Sequence, residues 1–176
     1  MKVLVVSDSH GDSGIIRSLL NRYCNLVQTV VHLGDNAKDL LQFEADYAIN
    51  FVAVAGNCDF YGNLPGERIL TIGDTCKRRV LLLHGHKLNV KSGYDRLMYY
   101  AQEKEVDACL FGHSHMPFAY VHEPVFYSNH SNEAKPRHLV FMNPGSVSEP
   151  RGGTKAGYGI LSIDSKGNIT GELLEL

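Results

Sequence analysis

Residues 1–12 read MKVLVVSDSHGD, and this stretch decides the fold. The run Val3–Val6 is apolar, rich in β-branched residues and bounded by small and polar ones, a pattern typical of a buried strand. In α/β sheets ligands bind just beyond the carboxyl ends of the strands, and here that end carries Asp8 and His10. Two residues apart in an extended segment, their side chains would point the same way. We therefore expect both to face one metal ion.

Four further apolar runs end in the same way. They cover residues 30–33, 51–55, 80–83 and 108–111, and they are followed by Asp35, by Asn57, by His84, and by His113 and His115. A single Asp-x-His pair is weak evidence, because such pairs are common by chance. Five strand ends that carry Asp, Asn and His predict one polynuclear metal site at a single edge of the sheet.

The ligand types indicate how many metals this site binds and which ones. Asp35 has two carboxylate oxygens and can bridge two cations held about 3.5–4 Å apart. The candidate ligands are Asp8, His10, Asp35, Asn57, His84, His113 and His115. This mixture suits Mn, Fe, Ni or Zn better than Ca or Mg, so we expect two divalent transition-metal ions per chain, with manganese favoured.

Two other histidines lie close to these motifs. His86 could replace His84 as a ligand, but His84 ends its apolar run more directly and is preferred. His32 lies inside a strand and is predicted to be a packed core histidine.

Length and composition limit the class of protein. The chain has 176 residues, of which 44% are hydrophobic, and a formal net charge of −2. We expect one domain, residues 1–176, with a proper core and no affinity for nucleic acid or membranes from bulk charge. No apolar run has the length of a membrane span, so we expect a cytoplasmic protein, with a homo-oligomer left open. Four cysteines without CxxC spacing argue against a zinc ribbon or a redox pair.

The hydrophobic periodicity predicts the order of the elements. Helices are expected at 13–25, 39–44 and 93–105, and strands at 3–6, 29–33, 48–55, 67–72, 78–84, 108–111, 118–121, 139–142, 158–163 and 168–174. The βαβ order of the front half predicts a right-handed parallel arrangement, and the back half is β-rich, so two packed sheets with helices outside fit best. Residues 123–135 are interpreted as an exposed loop or hairpin rather than a second site around His122, His130 and His138.

The motifs together resemble those of the calcineurin-like metallophosphoesterases. They are Asp8-Ser9-His10, Gly34-Asp35, Gly56-Asn57-Cys58-Asp59, His84-Gly85-His86 and Gly112-His113-Ser114-His115. The short chain, Asn57-Cys58-Asp59 and Asn143-Pro144-Gly145-Ser146 look like the small bacterial and archaeal (YfcE-like) phosphodiesterase branch. The resemblance implies an α/β fold, a four-layer α/β/β/α sandwich of two mixed sheets with flanking helices. It also implies one metal held by Asp8, His10, Asp35 and His115, and another held by Asp35, Asn57, His84 and His113.

The chain departs from the wider family at Cys58. Many members have a histidine there that contacts the phosphate and is often assigned as the general acid. A thiol, with a reference pKa near 8.5, is a poorer partner for a phosphate oxygen than an imidazolium. Asp59 is a second candidate catalytic residue, as an orienting carboxylate, with a structural hydrogen bond as the alternative interpretation.

The predicted function is metal-dependent hydrolysis of a small phosphoester, with a diester favoured, by a metal-activated water at a dinuclear centre. Asn36 and Arg151 are candidate phosphate contacts, since a guanidinium suits phosphate, although a solvated arginine is an equally good interpretation of Arg151. The rival hypothesis is a catalytically weak metal-binding module that serves protein interaction, as the retromer subunit of the same family does.

Overall fold

The fold is taken from a computed structural model, which describes residues 1–60, 63–125 and 137–176. The strands are β1 (Lys2–Val6), β2 (Thr29–His32), β3 (Asn50–Ala53), β4 (Glu67–Ile72), β5 (Arg78–Leu83), β6 (Ala108–Leu110), β7 (Pro117–Val125), β8 (Arg137–Pro144), β9 (Gly157–Ile163) and β10 (Ile169–Glu175). The helices are α1 (Ser13–Tyr23), α2 (Lys38–Leu41) and α3 (Asp95–Glu103), with a single 3-10 turn at His86–Leu88. Within the described residues no helix is long and apolar enough to cross a membrane.

The strands form two five-stranded sheets. The first has the order β10-β9-β1-β2-β3 and the second the order β4-β5-β6-β8-β7. In the first sheet β1, β2 and β3 are parallel, while β9 and β10 are antiparallel. In the second sheet β5, β6 and β8 are parallel, and β4 and β7 pair antiparallel at the two edges. Both sheets are therefore mixed, as predicted.

The period-2 alternation of apolar residues creates the layers. Val5 and Val31 from the first sheet and Leu82, Leu110 and Met142 from the second belong to one buried cluster. Because alternate residues of a strand face opposite sides, the neighbours of these residues form the outer faces of the sandwich. The inner faces of the two sheets thus form a single core between them.

The helices cover the outer faces. Leu4 and Val6 of β1 pack in one cluster with Ile16 and Leu20 of α1 and with Leu40 of α2. On the other side, Leu81, Cys109 and Phe141 share a cluster with Leu97 and Ala101 of α3. The architecture is the expected α/β/β/α sandwich, and Cys109 is a buried core residue.

Several elements end earlier than the periodicity predicted. Helix α1 ends at Tyr23, and α2 covers only four residues. Strand β7 is longer than predicted, since it pairs with β8 from Pro117 to Val125. Residues 123–125 are therefore strand rather than loop, whereas His130 and the rest of 126–136 lie outside the described residues.

Candidate metal centre

The carboxyl ends of the parallel strands meet at one edge of the sandwich and bring six of the predicted ligands together. One group contains Asp8, His10, Asp35 and His115, and a second contains Asp35, His84 and His113. Within each group the possible ligand atoms all lie within 4.8 Å of one another. Asp35 belongs to both groups, which is the arrangement a bridging carboxylate requires.

The backbone at these positions differs from the extended conformation used to predict them. Asp8, His10, Asp35, Asn36, His113 and His115 have φ values between 46° and 69°, in the left-handed region. They are six of the eight non-glycine residues with positive φ in the described part of the chain. Asp8 and His10 therefore do not lie in an extended segment, and the prediction that they converge for that reason is wrong. A left-handed backbone costs about 1–3 kcal/mol per residue and persists where the surroundings determine it, as at functional sites.

Glycines allow the strand ends to approach closely. A Cβ on Gly34, which has a φ of 102°, would lie 2.5 Å from the backbone nitrogen of Gly56 and 2.8 Å from Nδ1 of His84. A Cβ on Gly112 would overlap the hydroxyl of Ser7 and lie 2.8 Å from Oδ2 of Asp8. The glycine before each of these ligand motifs is thus required by packing at the site.

Asp8 is a fully enclosed candidate ligand. Its side chain has no exposed surface, and Oδ2 accepts hydrogen bonds from the hydroxyl of Ser7 and from the backbone N–H of His113. The backbone carbonyl of Asp8 accepts from the hydroxyls of Ser146, at 2.7 Å, and Ser148, at 3.0 Å. These contacts stabilise the left-handed turn and fix the carboxylate.

Two histidines have tautomers that leave a ligand nitrogen available. Nδ1 of His84 lies 2.8 Å from the carbonyl oxygen of Leu33, and Nδ1 of His115 lies 2.6 Å from that of Glu149. A carbonyl can only accept, so each Nδ1 carries the hydrogen and each neutral ring presents an unprotonated Nε2. A carbonyl partner of this kind orients metal-bound histidines in general.

The atoms that face the centre fit a cation. Oδ1 of Asp8 is buried and makes no hydrogen bond with any described residue, although Nε2 of His115 lies 3.1 Å away. Nε2 of His115 also lies 3.3 Å from Nε2 of His10, and Nε2 of His84 lies 3.1 Å from Nδ1 of His113. Each pair of rings can share a hydrogen, with one ring donating to the other, but Oδ1 of Asp8 faces the unprotonated Nε2 of His115, and two acceptors this close repel one another unless positive charge lies between them. The donor set therefore fits divalent transition metals.

The pKa values report the same electrostatics. Burial opposes ionisation of Asp35, but His84 and the N–H of Cys58 outweigh it, so the pKa of Asp35 lies below its usual range. Burial would lower the pKa of His84, but Asp35 and Asp8 raise it above its ordinary value. Burial and the neighbouring His84 lower the pKa of His113 to about 4. Without metal, a proton on His84 is thus the cation that stabilises the two carboxylates.

Asp59 stabilises the loop that carries Asp35. Its Oδ2 accepts from the backbone N–H groups of Asp35 and Gly56, both at 2.8 Å, and its Oδ1 accepts from that of Ala37 at 2.9 Å. Both carboxylate oxygens are occupied by backbone donors. The structure thus places Asp59 behind Asp35, in the structural hydrogen bonds that were the alternative interpretation of this residue.

Cys58 and Asn57 lie beside Asp35. The backbone N–H of Cys58 donates to Oδ1 of Asp35 at 2.8 Å, and burial together with Asp35 raises the pKa of the Cys58 thiol. Asn57 is exposed, and its amide donates to Sγ of Cys58 at 3.3 Å. Without metal, the thiol is therefore protonated at neutral pH.

The two predicted phosphate contacts both border the centre. Asn36 follows Asp35 directly, is half-buried, and its Nδ2 lies 4.0 Å from where a Cβ on Gly11 would be. Arg151 is exposed, and its backbone N–H donates to the carbonyl of His115 at 3.2 Å. Its guanidinium is close enough to lower the pKa of His115, although burial lowers it more and Asp8 raises it above the ordinary value overall.

Two further histidines lie close to the ligand groups, and one of them, His32, is a core residue as predicted. His32 is fully buried, with Nε2 2.9 Å from the hydroxyl of Ser9 and Nδ1 accepting from the N–H of Gly34. Burial lowers the pKa of His32 to about 4, so it is a neutral core residue. The second ligand group contains His84 rather than His86, whose ring lies 5.4 Å from that of His84.

Several residues that position the ligands were not identified from the sequence. Asp39 is buried and accepts from Ser9 and from the N–H of Gly11, both at 2.7 Å. Asn143 donates to the carbonyl of Gly112 and to the hydroxyl of Ser114. The sequence did carry a signal for Asn143, because the motif Asn143-Pro144-Gly145-Ser146 follows a sixth apolar run, residues 139–142.

Comparison with known proteins identifies the relatives of the chain. The family model of the calcineurin-like phosphoesterase superfamily domain matches residues 1–166. The probable metallophosphoesterase YsnB of Bacillus subtilis (strain 168) is 31% identical over 165 residues, which cover 94% of this chain and 86% of YsnB. The phosphodiesterase YfcE of Escherichia coli (strain K12) is 29% identical over 188 residues, which cover 93% of this chain and 89% of YfcE. A crystal structure of a predicted phosphoesterase from Streptococcus pneumoniae superposes with a TM-score of 0.71 at 33% identity, covering 93% of this chain and 83% of that one.

Replacing Asp59 by Ala tests its positioning role. The variant leaves three backbone N–H groups without their acceptor, so we expect a loss of about 1–3 kcal/mol in the free energy of unfolding. Manganese affinity should fall about 10–100-fold, because the loop that carries Asp35 is released. Urea unfolding and calorimetric titration measure the two effects. Asp46→Ala, at an exposed position, is the matched control, and equal behaviour of the two variants would contradict the role.

Proposed function

This chain belongs to the calcineurin-like phosphoesterase superfamily and is a metal-dependent phosphoesterase, and we propose that it hydrolyses phosphodiesters at a dinuclear metal centre. The observation that carries the proposal is the pair of ligand groups that share Asp35. A shared carboxylate supports two cations rather than one. Asn57 completes the second group in the proposal, as the family pattern implies.

The chemistry divides between the metals and the chain. Divalent cations held by the two groups would lower the pKa of a water and polarise the phosphoryl oxygens, and manganese is the favoured ion. Asp8 and Asp35 hold their negative charge toward the centre, and the backbone N–H groups of His113 and Cys58, which donate to them, keep both carboxylates in place. Arg151 and Asn36 are assigned to bind and orient the phosphate, since both border the centre.

Cys58 and Asp59 leave the metal centre without a good proton donor. Cys58 has a raised pKa and is a weak acid. Asp59 has both oxygens on backbone donors, so we assign it a positioning role. A leaving group that departs as a stable anion needs no proton, whereas an alkoxide does. We therefore assign preference to diesters with acidic leaving groups.

The remaining parts of the proposal concern the protein as a whole. Residues 1–176 form one domain in this account, since β9 and β10 return to pair beside β1. All four cysteines are free, which agrees with the reducing cytoplasm. Small phosphoesters are the proposed ligands rather than nucleic acid. The intact ligand set argues for an enzyme and against a catalytically weak interaction module.

Hydrolysis of bis(p-nitrophenyl) phosphate tests the function. We expect turnover with added Mn²⁺, none after chelation, and recovery when the metal is restored. Asp35→Ala should lose more bound metal than Asp8→Ala, because only Asp35 belongs to both groups. Elemental analysis after metal loading and desalting measures the metal. Full activity of the metal-free protein would refute the metal mechanism, and equal, small metal losses in both variants would refute the bridge.

Substitution of Cys58 tests whether the metal centre lacks a proton donor for the leaving group. General acid catalysis contributes about 10²–10⁴-fold, so the wild type should cleave diesters with acidic leaving groups far better than alkyl diesters. Cys58→His should narrow this gap, and Cys58→Ala should change the rates little. The measurement is the dependence of rate on leaving-group pKa in the three proteins. A large loss in Cys58→Ala at unchanged metal content would show that the thiol takes part in catalysis.

A further inference from the structure

A cleft of about 150 Å³ opens next to the second ligand group. It is lined by Gly66, Glu67, Leu83, Gly85, His86, Lys87, Leu88 and Tyr100. None of these residues holds a metal in the account above, so the cleft is separate from the ligands themselves.

His86 lines the cleft and lies beside the metal centre. Its ring centroid lies 5.4 Å from that of His84 and 6.0 Å from that of His113, the two histidines of the second ligand group. Nδ1 of His86 is buried and makes no hydrogen bond with any described residue. His86 therefore borders both the cleft and the second ligand group.

The residues that line the cleft indicate which kind of ligand it binds. Leu83 and Leu88 provide an apolar surface, and the polar groups lie around it. The hydroxyl of Tyr100 donates to Oε2 of Glu67 at 2.7 Å, so this pair is already satisfied. Nζ of Lys87 lies 3.4 Å from the position of a Cβ on Gly66 and supplies a cation at the same wall. Such a lining, apolar with a few polar groups, is typical of small-molecule sites.

We infer that this cleft is a specificity subsite that binds one ring-sized, largely apolar ester group of the phosphodiester substrate. A volume of about 150 Å³ accommodates a single benzene-sized ring. The inference rests on the proposed function, because it places the phosphate at the metal centre and the ester group past His86. Monoesters without such a group, and diesters with only methyl groups, leave the cleft empty.

Binding of phosphonates to the zinc-loaded protein tests the subsite without turnover. Methylphosphonate probes the metal centre alone, and phenylphosphonate probes the centre and the cleft together. In the wild type we expect phenylphosphonate to bind about tenfold more tightly, the order expected for burial of an aromatic ring. Calorimetric titration gives both dissociation constants, and their ratio cancels any change in the metal centre.

Two variants change the size of the cleft in opposite directions. Gly66→Leu fills the cleft and should bring the phenyl-to-methyl ratio to about twofold or less, while Leu88→Ala widens it and should favour 1-naphthylphosphonate over phenylphosphonate. Leu26→Ala, at an exposed leucine, is the control and should keep the wild-type ratio. A ratio near one in the wild type, or a ratio unchanged by Gly66→Leu, would overturn the subsite.

The experiments distinguish a refutation of the subsite from a refutation of the proposed function. Diester hydrolysis with no preference for the phenyl group would refute the subsite and leave the function standing. A phenyl preference that Gly66→Leu removes would support the subsite even if no diester were hydrolysed, and the reaction alone would then be refuted.

Discussion

Two carboxylates, those of Asp8 and Asp35, are buried where the strands of two sheets end, and the rest of the site depends on the positive charge that they require. A buried carboxylate is stable only when it is hydrogen-bonded and close to a cation. Backbone N–H groups and Ser7 provide the hydrogen bonds. The Nε2 atoms of His10, His84 and His115 lie 3.1–3.9 Å from the carboxylate oxygens. The positive charge that the carboxylates require therefore comes from protons on these histidines or from metal ions.

The geometry that concentrates this charge is itself unfavourable for the chain. Six ligand or neighbouring residues adopt a left-handed backbone, and glycines are required where strand ends nearly touch. The two packed sheets and their helices supply the stability that offsets these local costs. Asp59, Ser146 and Ser148 then fix the loops by hydrogen bonds to backbone groups. The fold thus stabilises a site that none of its loops would form alone.

Much of the fold and of the candidate metal centre could be predicted from the sequence, because local patterns indicate the strands and the ligands that follow them. Val3–Val6 predicts a buried strand from its own composition, and Asp8 and His10 follow it directly. The sequence could not show that Asp8 and His10 have a positive φ, because that conformation is set by contacts with Ser146 and other distant residues. A structural hydrogen bond of Asp59 was one of the two interpretations of this residue, but its three backbone partners and the cleft beside His86 could not be predicted, for the same reason. Each depends on segments that meet only in the folded chain.

Anomalous X-ray diffraction from crystals soaked in Mn²⁺, recorded at the manganese absorption edge, tests the central claim most directly. The account predicts two peaks about 3.5–4 Å apart, with the carboxylate of Asp35 between them. One peak should lie against Asp8, His10 and His115, and the other against His84 and His113. A single peak, or two peaks that do not share Asp35, would contradict the dinuclear centre.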